Sequence, residues 1–83
     1  MSQKRGKDQI VAQILAICQG EGTIKTMVVY QANLNFHTVK TYLDLLQKKE
    51  LLEAIQGNKI LYKTTPAGEE ALETLRIAEA IYS

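Results

Sequence analysis

TIKTMVVYQANLNFHTVKTYLDLLQK, residues 23–48, holds two apolar patterns on either side of Asn33-Leu34-Asn35. In the first, Ile24, Met27, Val28 and Tyr30 suit a short helix from Thr23 to Ala32. The run Met27-Val28-Val29-Tyr30 also has the β-branched and aromatic content of a strand, and helix is the reading adopted. The second pattern is clearer. Asn35 is a good N-cap, and Val39, Tyr42, Leu43 and Leu46 recur at i, i+3, i+4 and i+7 through about Lys48. A three-residue connection between two helices is that of a helix-turn-helix, whose second helix is presented outward.

Toward the C-terminus the period changes. Leu52-Glu53-Ala54-Ile55-Gln56 and Lys59-Ile60-Leu61-Tyr62-Lys63-Thr64 flank Gly57-Asn58, which predicts a β-hairpin whose turn residues take positive φ. Thr65 then caps a helix over 66–82 with Pro66 at its first position, where the missing N–H costs nothing. Glu69 and Glu70 lie near its positive end. On the N-terminal side, Ile10, Ile14, Ile17 and Cys18 form a stripe widened by Val11 and Leu15. That predicts a helix from about Asp8, as N-cap, to Gln19, with Gly20 as its stop. Tyr30 and Tyr42 are expected in the core, and Cys18 as a small core residue.

The order helix, helix, helix, hairpin, helix defines an α+β, mostly helical fold: a winged helix-turn-helix of three helices, a two-stranded β-hairpin wing and a C-terminal helix. The 83 residues have room for one core, so 1–83 is expected to be a single domain with residues 1–7 as a flexible basic arm. Composition narrows the function. With one cysteine and one histidine, neither an internal disulfide nor a Cys/His zinc site can form, and no metal or other cofactor is expected. There is no Walker loop, dinucleotide glycine pattern or nucleophile elbow, so a non-catalytic protein is expected. Neither a membrane-length apolar run nor a signal-peptide pattern is present, which gives an expectation of a cytoplasmic, nucleoid-associated protein with no membrane partner. The net charge is only +1, but it is divided: residues 1–63 carry +4 and residues 64–83 carry −3. The basic part can approach a polyanion while the acidic segment stays away.

Three stretches carry a family resemblance: Thr26-Met27-Val28-Val29-Tyr30-Gln31-Ala32-Asn33-Leu34, Val39-Lys40-Thr41-Tyr42-Leu43-Asp44-Leu45-Leu46, and Leu61-Tyr62-Lys63-Thr64-Thr65-Pro66-Ala67-Gly68-Glu69-Glu70. In this order and spacing the chain resembles small archaeal winged-helix regulators, including the ten-kilodalton Sulfolobus chromatin protein class. The resemblance implies duplex DNA binding by a homodimer whose C-terminal helices pair as an antiparallel coiled coil. Here that helix has about 17 residues, or ~25 Å, little more than two heptads. Lys49-Glu50 stands where the family tends to have glycine, so the preceding helix either ends differently or carries a left-handed residue.

The candidate DNA contacts follow from the outward face of the second helix of the motif: Asn35, His37, Thr38 and Thr41 for base edges, Lys40 for a base or phosphate, and Lys48. The same face would be a solvated surface in a domain without DNA. Asp44 on it would repel phosphate unless it accepts from a cytosine amino group or holds Lys40 or Lys48. Lys25 and Thr26 can hold a phosphate with backbone N–H groups. Asn58 and Lys59 sit at the wing, and Lys4, Arg5 and Lys7 form the arm. Arginine, the commonest guanine reader, is missing from the helix. Leu72, Leu75, Ala78, Ile81 and Tyr82 are the expected dimer contact. The low net charge motivates one rival: a winged-helix protein-interaction module that binds no nucleic acid.

Overall fold

A computed structural model describes residues 5–82. Its elements are α1 (Lys7–Ile17), α2 (Lys25–Ala32), α3 (Phe36–Lys48), β1 (Leu52–Ile55), β2 (Leu61–Thr64) and α4 (Pro66–Tyr82), the winged-helix order. The ambiguous run Met27 to Tyr30 is helical. α1 begins one residue before Asp8, with Gly6 as N-cap, because the Gln9 side chain reaches back to accept from the Gly6 N–H at 2.9 Å. Asp8 falls in the first turn, where its charge favours the helix dipole.

Side chains from every element meet in one core. Ile14, Leu15 and Cys18 come from α1 and its end, Val28 from α2, Val39, Leu43 and Leu46 from α3, Leu52 and Tyr62 from the hairpin, and Leu72 from α4. In α2 the buried line is Val28 with Ala32, one turn apart. Tyr30 lies two residues from each and so points away, 80% exposed, contrary to the expectation that it packs inside. Tyr42 does pack against the core.

Two backbone reversals without glycine set the angle between elements. At the end of α2, Asn33 takes φ 56°, its N–H donates to the Tyr30 carbonyl, and the Leu34 N–H reaches back to Val29. Asparagine tolerates this left-handed conformation, and the paired 5→2 and 6→1 bonds are those of a Schellman closure. At the end of α3 the same closure recurs on Glu50, at φ 63°, with bonds from Glu50 to Gln47 and from Leu51 to Leu46. Of the two outcomes open for Lys49-Glu50, the left-handed residue is the one adopted.

The strands pair antiparallel, Leu52 with Thr64 through Ile55 with Leu61, leaving residues 56–60 as a five-residue tip. A tight Gly57-Asn58 turn was the expectation, yet neither residue has positive φ. The longer loop closes the hairpin without a primed turn. A further residue joins the sheet: Thr23 bridges to Tyr62 with N···O distances of 3.0 and 2.7 Å. Gly22 permits it, since at φ 88° a Cβ there would lie 2.7 Å from the Tyr62 carbonyl oxygen. Thr64, 3% exposed, donates its hydroxyl to the Leu15 carbonyl at 2.6 Å and its N–H to the Cys18 carbonyl, fixing the wing's last residue to α1. Thr65 caps α4 as expected, accepting from the Gly68 N–H at 3.0 Å.

Two substitutions test this wiring. Glu50→Gly, which removes the Cβ from a left-handed residue, is expected to raise the urea-unfolding free energy by roughly 0.5–1 kcal/mol. Gly68→Ala is expected to lower it by about 2 kcal/mol or more, because its Cβ would strike the Leu51 carbonyl and sit 2.7 Å from Thr64 Cγ2.

Candidate nucleic-acid interface

The outward face of α3 follows from what its inner face buries. Val39, Leu43 and Leu46 are enclosed, so His37, Thr41, Asp44 and Lys48, at i, i+4, i+7 and i+11, form the row farthest from the core, and all four are exposed. Lys40 flanks the row on one side and Leu45 on the other, 41% exposed. Several polar groups on this face are already engaged. The Asn35 Oδ1 accepts from the Thr38 N–H at 2.7 Å, so Asn35 is the helix cap and only its amide NH₂ faces outward uncommitted. Thr38 is half-buried beside that cap. Thr41 donates its hydroxyl to the His37 carbonyl at 3.1 Å, leaving its oxygen as an acceptor.

Lys40 and Asp44 form an i, i+4 ion pair, Nζ to Oδ2 2.9 Å, with side chains 57% and 62% exposed. The hydrogen bond from Asp44 raises the Lys40 ammonium above its ordinary range, and the carboxylate's charge adds to this. Asp44 thus holds Lys40 rather than Lys48.

The other candidates lie around this row. At the start of α2, Ile24 supplies no side-chain cap, so the first N–H groups of that helix are presented beside Lys25 and the exposed Thr26. Lys25 Nζ stands 5.0 Å from the centroid of the Phe36 ring, joining the first turns of α2 and α3. Sequence reasoning passed over this pair, although an aromatic directly after an N-cap, 52% exposed here, is visible in the sequence. Asn58 and Lys59 are exposed at the wing tip, flanked by Ile55 and Ile60, 39% and 43% exposed.

The basic arm is not free where the structure describes it. Arg5 donates to Gln13 Oε1 at 2.9 Å, to the Ala32 carbonyl, and to the Asn33 carbonyl at 3.1 Å. A guanidinium from 28 residues upstream therefore caps the C-terminal end of α2, which has no basic residue in its own last turn. Lys7 is the first residue of α1, and Lys4 lies outside the described residues.

The expected dimer set on α4 divides. Leu72 is 2% exposed and belongs to the core. Leu75 and Ala78 are half-buried and line a groove with Asp8, Gln9 and Ala12 of α1. The stripe of the sequence pattern is therefore largely the face turned to α1. Outward stand Ile77 and Ile81, 53% and 68% exposed, while Tyr82, 87% exposed, lines the same groove as Leu75 and Ala78. Ile77 was missed because it lies opposite the more regular stripe.

Among the described residues no three His, Cys, Asp or Glu side chains gather to hold a metal, and no helix is long and apolar enough to cross a membrane. Cys18 is fully buried, which pushes its thiol up to about 12 from 9.0.

A family model for the winged helix-turn-helix matches residues 4–82. An uncharacterized protein of Methanocaldococcus jannaschii is 34% identical over 74 residues, 89% of this chain, and the chain spans 34% of that relative's length. Among solved structures, Sso10a-2, a DNA-binding protein from Sulfolobus solfataricus, matches with a TM-score of 0.81 and 30% identity, over 94% of this chain and 86% of its own. BpsR of Bordetella bronchiseptica, whose DNA binding is regulated by 6-hydroxynicotinic acid, matches with a TM-score of 0.72 and 25% identity, over 95% and 58%.

The Cys18 environment sets a pH test. The unfolded thiol loses its proton near 9.0 and the folded one near 12, so the folded state keeps its full advantage below pH 9 and loses it as pH rises through that window. Stability measured by urea unfolding is expected to fall more steeply above pH 9 in the wild type than in Cys18→Ala. Parallel curves would show that the buried thiol titrates normally.

Proposed function

The chain belongs to the winged helix-turn-helix family, and from that premise we propose that it binds duplex DNA as a homodimer, as a transcription regulator or nucleoid-associated protein. The observation that carries the proposal is the outward row of α3, whose His37, Thr41, Asp44 and Lys48 stand clear of the core on the second helix of the motif, the one that such folds present to the major groove. The DNA-binding activity of Sso10a-2, similar along nearly its whole length, supports the same reading.

In this reading α3 enters the major groove. Lys48, Lys25 with the first N–H groups of α2, and Lys59 at the wing contact phosphates, and Asn58 lies beside the backbone at the tip. The Asn35 amide, His37 and Thr41 face base edges, and the side chain of Thr38 lies at the margin of that surface. Arg5 acts through the turn it caps, keeping α2 and α3 at a fixed angle. The second copy docks on the outer face of α4, through Ile77 and Ile81, with Tyr82, Leu75 and Ala78 at the edge of the contact. Glu70 and Glu73, also exposed on that helix, stay away from the phosphates.

The rival, a protein-binding module, draws on the near-neutral charge and on the exposed Ile55 and Ile60 of the wing. Fluorescence anisotropy with mixed-sequence duplex at several salt concentrations separates the two. Binding is expected, with log affinity falling linearly in log salt. Lys48→Ala and Lys59→Ala are each expected to reduce the slope by about 0.9, and the double change of Lys48 and Lys59 to Glu to abolish retention. No binding at low salt would favour the rival. In sedimentation, the mass is expected to rise with concentration from one copy toward two, and Ile77→Glu with Ile81→Glu to hold it at one. An unchanged mass in that variant would remove α4 as the contact.

A further inference from the structure

In the Lys40–Asp44 pair, Asp44 belongs to the groove-facing row and Lys40 flanks it, yet a carboxylate there works against any contact with phosphates. As a mere helix-stabilising pair, with both side chains largely solvated, it would contribute little and would be better placed on a face away from DNA. Its geometry suits another task. The Lys40 ammonium gives one of its three N–H donors to Asp44 Oδ2, leaving two. The carboxylate keeps its second oxygen free of partners among the described residues. A donor and an acceptor are thus presented side by side, already hydrogen-bonded to each other and close to neutral as a unit.

One base pair has the complementary edge. In the major groove a G·C pair sets the guanine O6 and N7 acceptors beside the cytosine N4 amino donor. An A·T pair also offers a donor, the adenine N6, but places the N7 and O4 acceptors on its two sides, where a carboxylate is repelled. We propose that the Lys40–Asp44 ion pair reads a single G·C base pair, Lys40 donating to guanine O6 or N7 and Asp44 accepting from cytosine N4. The inference rests on the DNA-binding reading above and assigns to it a specificity-determining pair. It supplies the guanine contact that a helix without arginine otherwise lacks. Thr41 supports it: with its hydroxyl proton held by the His37 carbonyl, its oxygen is a second acceptor three residues from Asp44 on the same face, so this part of the helix selects amino groups. The pair also disfavours unspecific binding, because Asp44 repels a phosphate brought up to Lys40.

The test is selection from a randomised duplex library, followed by salt titrations on mixed-sequence duplex. The wild type is expected to enrich one G·C pair in each half-site, preferring it roughly tenfold or more over A·T. Asp44→Ala is expected to lose that preference while binding mixed-sequence duplex several-fold more tightly, with a salt slope steeper by about 0.9 as Lys40 moves to a phosphate. The exchange of Lys40→Asp with Asp44→Lys retains the ion pair in reverse order and is expected to restore the preference with guanine and cytosine swapped between strands. Both positions are exposed, and circular dichroism confirms the fold of each variant. Asp44→Ala with unchanged selectivity and slope would overturn the inference while leaving DNA binding intact. A wild type that binds no duplex would overturn the DNA reading and this inference with it.

Discussion

At residues 50 and 51 the chain leaves α3, and both carbonyls are used to fasten what comes later. The Glu50 carbonyl accepts from the Thr65 hydroxyl at 2.7 Å and the Leu51 carbonyl from the Thr65 N–H at 3.1 Å. The first turn of α4 then settles on Leu51 through Gly68, which has no side chain to hold it off. One threonine thus closes the hairpin at its base, caps α4 and ties both to the end of α3. The left-handed Glu50 is what aims those carbonyls, so its strain, of order 1 kcal/mol, is offset by the two bonds it makes possible. Wing and last helix take their positions from where α3 ends.

The parts legible in the sequence were those governed by a single local rule. Asn35 as a cap and Val39, Tyr42, Leu43 and Leu46 at helical spacing locate α3 without reference to the rest of the molecule, and Thr65-Pro66 does the same for α4. The errors arise where a tertiary contact decides. Nothing local distinguishes Tyr30 from Val28 as the buried residue of α2, because the outcome depends on which side meets the core. Gly57-Asn58 is a good tight turn by composition, but the register between Ile55 and Leu61 leaves five residues at the tip and relieves both of positive φ. Arg5 reads as a free cation until its partners, 27 and 28 residues away, are known. The apolar stripe of α4 is real, but a stripe does not say whether it faces its own chain or a second one, and Leu72 belongs to the former.

The candidate site follows the same division. Its membership was visible because an amphipathic helix exposes whatever it does not bury. Its chemistry was not, because that depends on which donors and acceptors are already occupied. Asn35 is partly consumed by its cap, the Thr41 hydroxyl proton is engaged by the His37 carbonyl, and the charge of Lys40 is offset by Asp44. What remains on α3 is one unpaired cation, Lys48, between acceptors. Such a face gains little from a polyanion itself, so in the DNA-binding proposal affinity comes from the fit of base edges or from more than one copy on the same duplex.

The second route bears on α4. Two exposed isoleucines per protomer, four across a symmetric pairing, contribute at most about 6–12 kcal/mol at ~1.5–3 kcal/mol each. Association itself costs about 4–15 kcal/mol. These ranges overlap, so a pairing built on Ile77 and Ile81 sits near balance, and Tyr82 and the half-buried Leu75 shift it by only a little. Two copies placed on neighbouring half-sites meet at an effective concentration far above that in free solution. Under the homodimer proposal the same weak contact would become favourable on the duplex, each copy strengthening the other's hold. Under the homodimer proposal, a pairing face this weak suits a sparingly charged recognition face, since neither would bind firmly until the other is engaged.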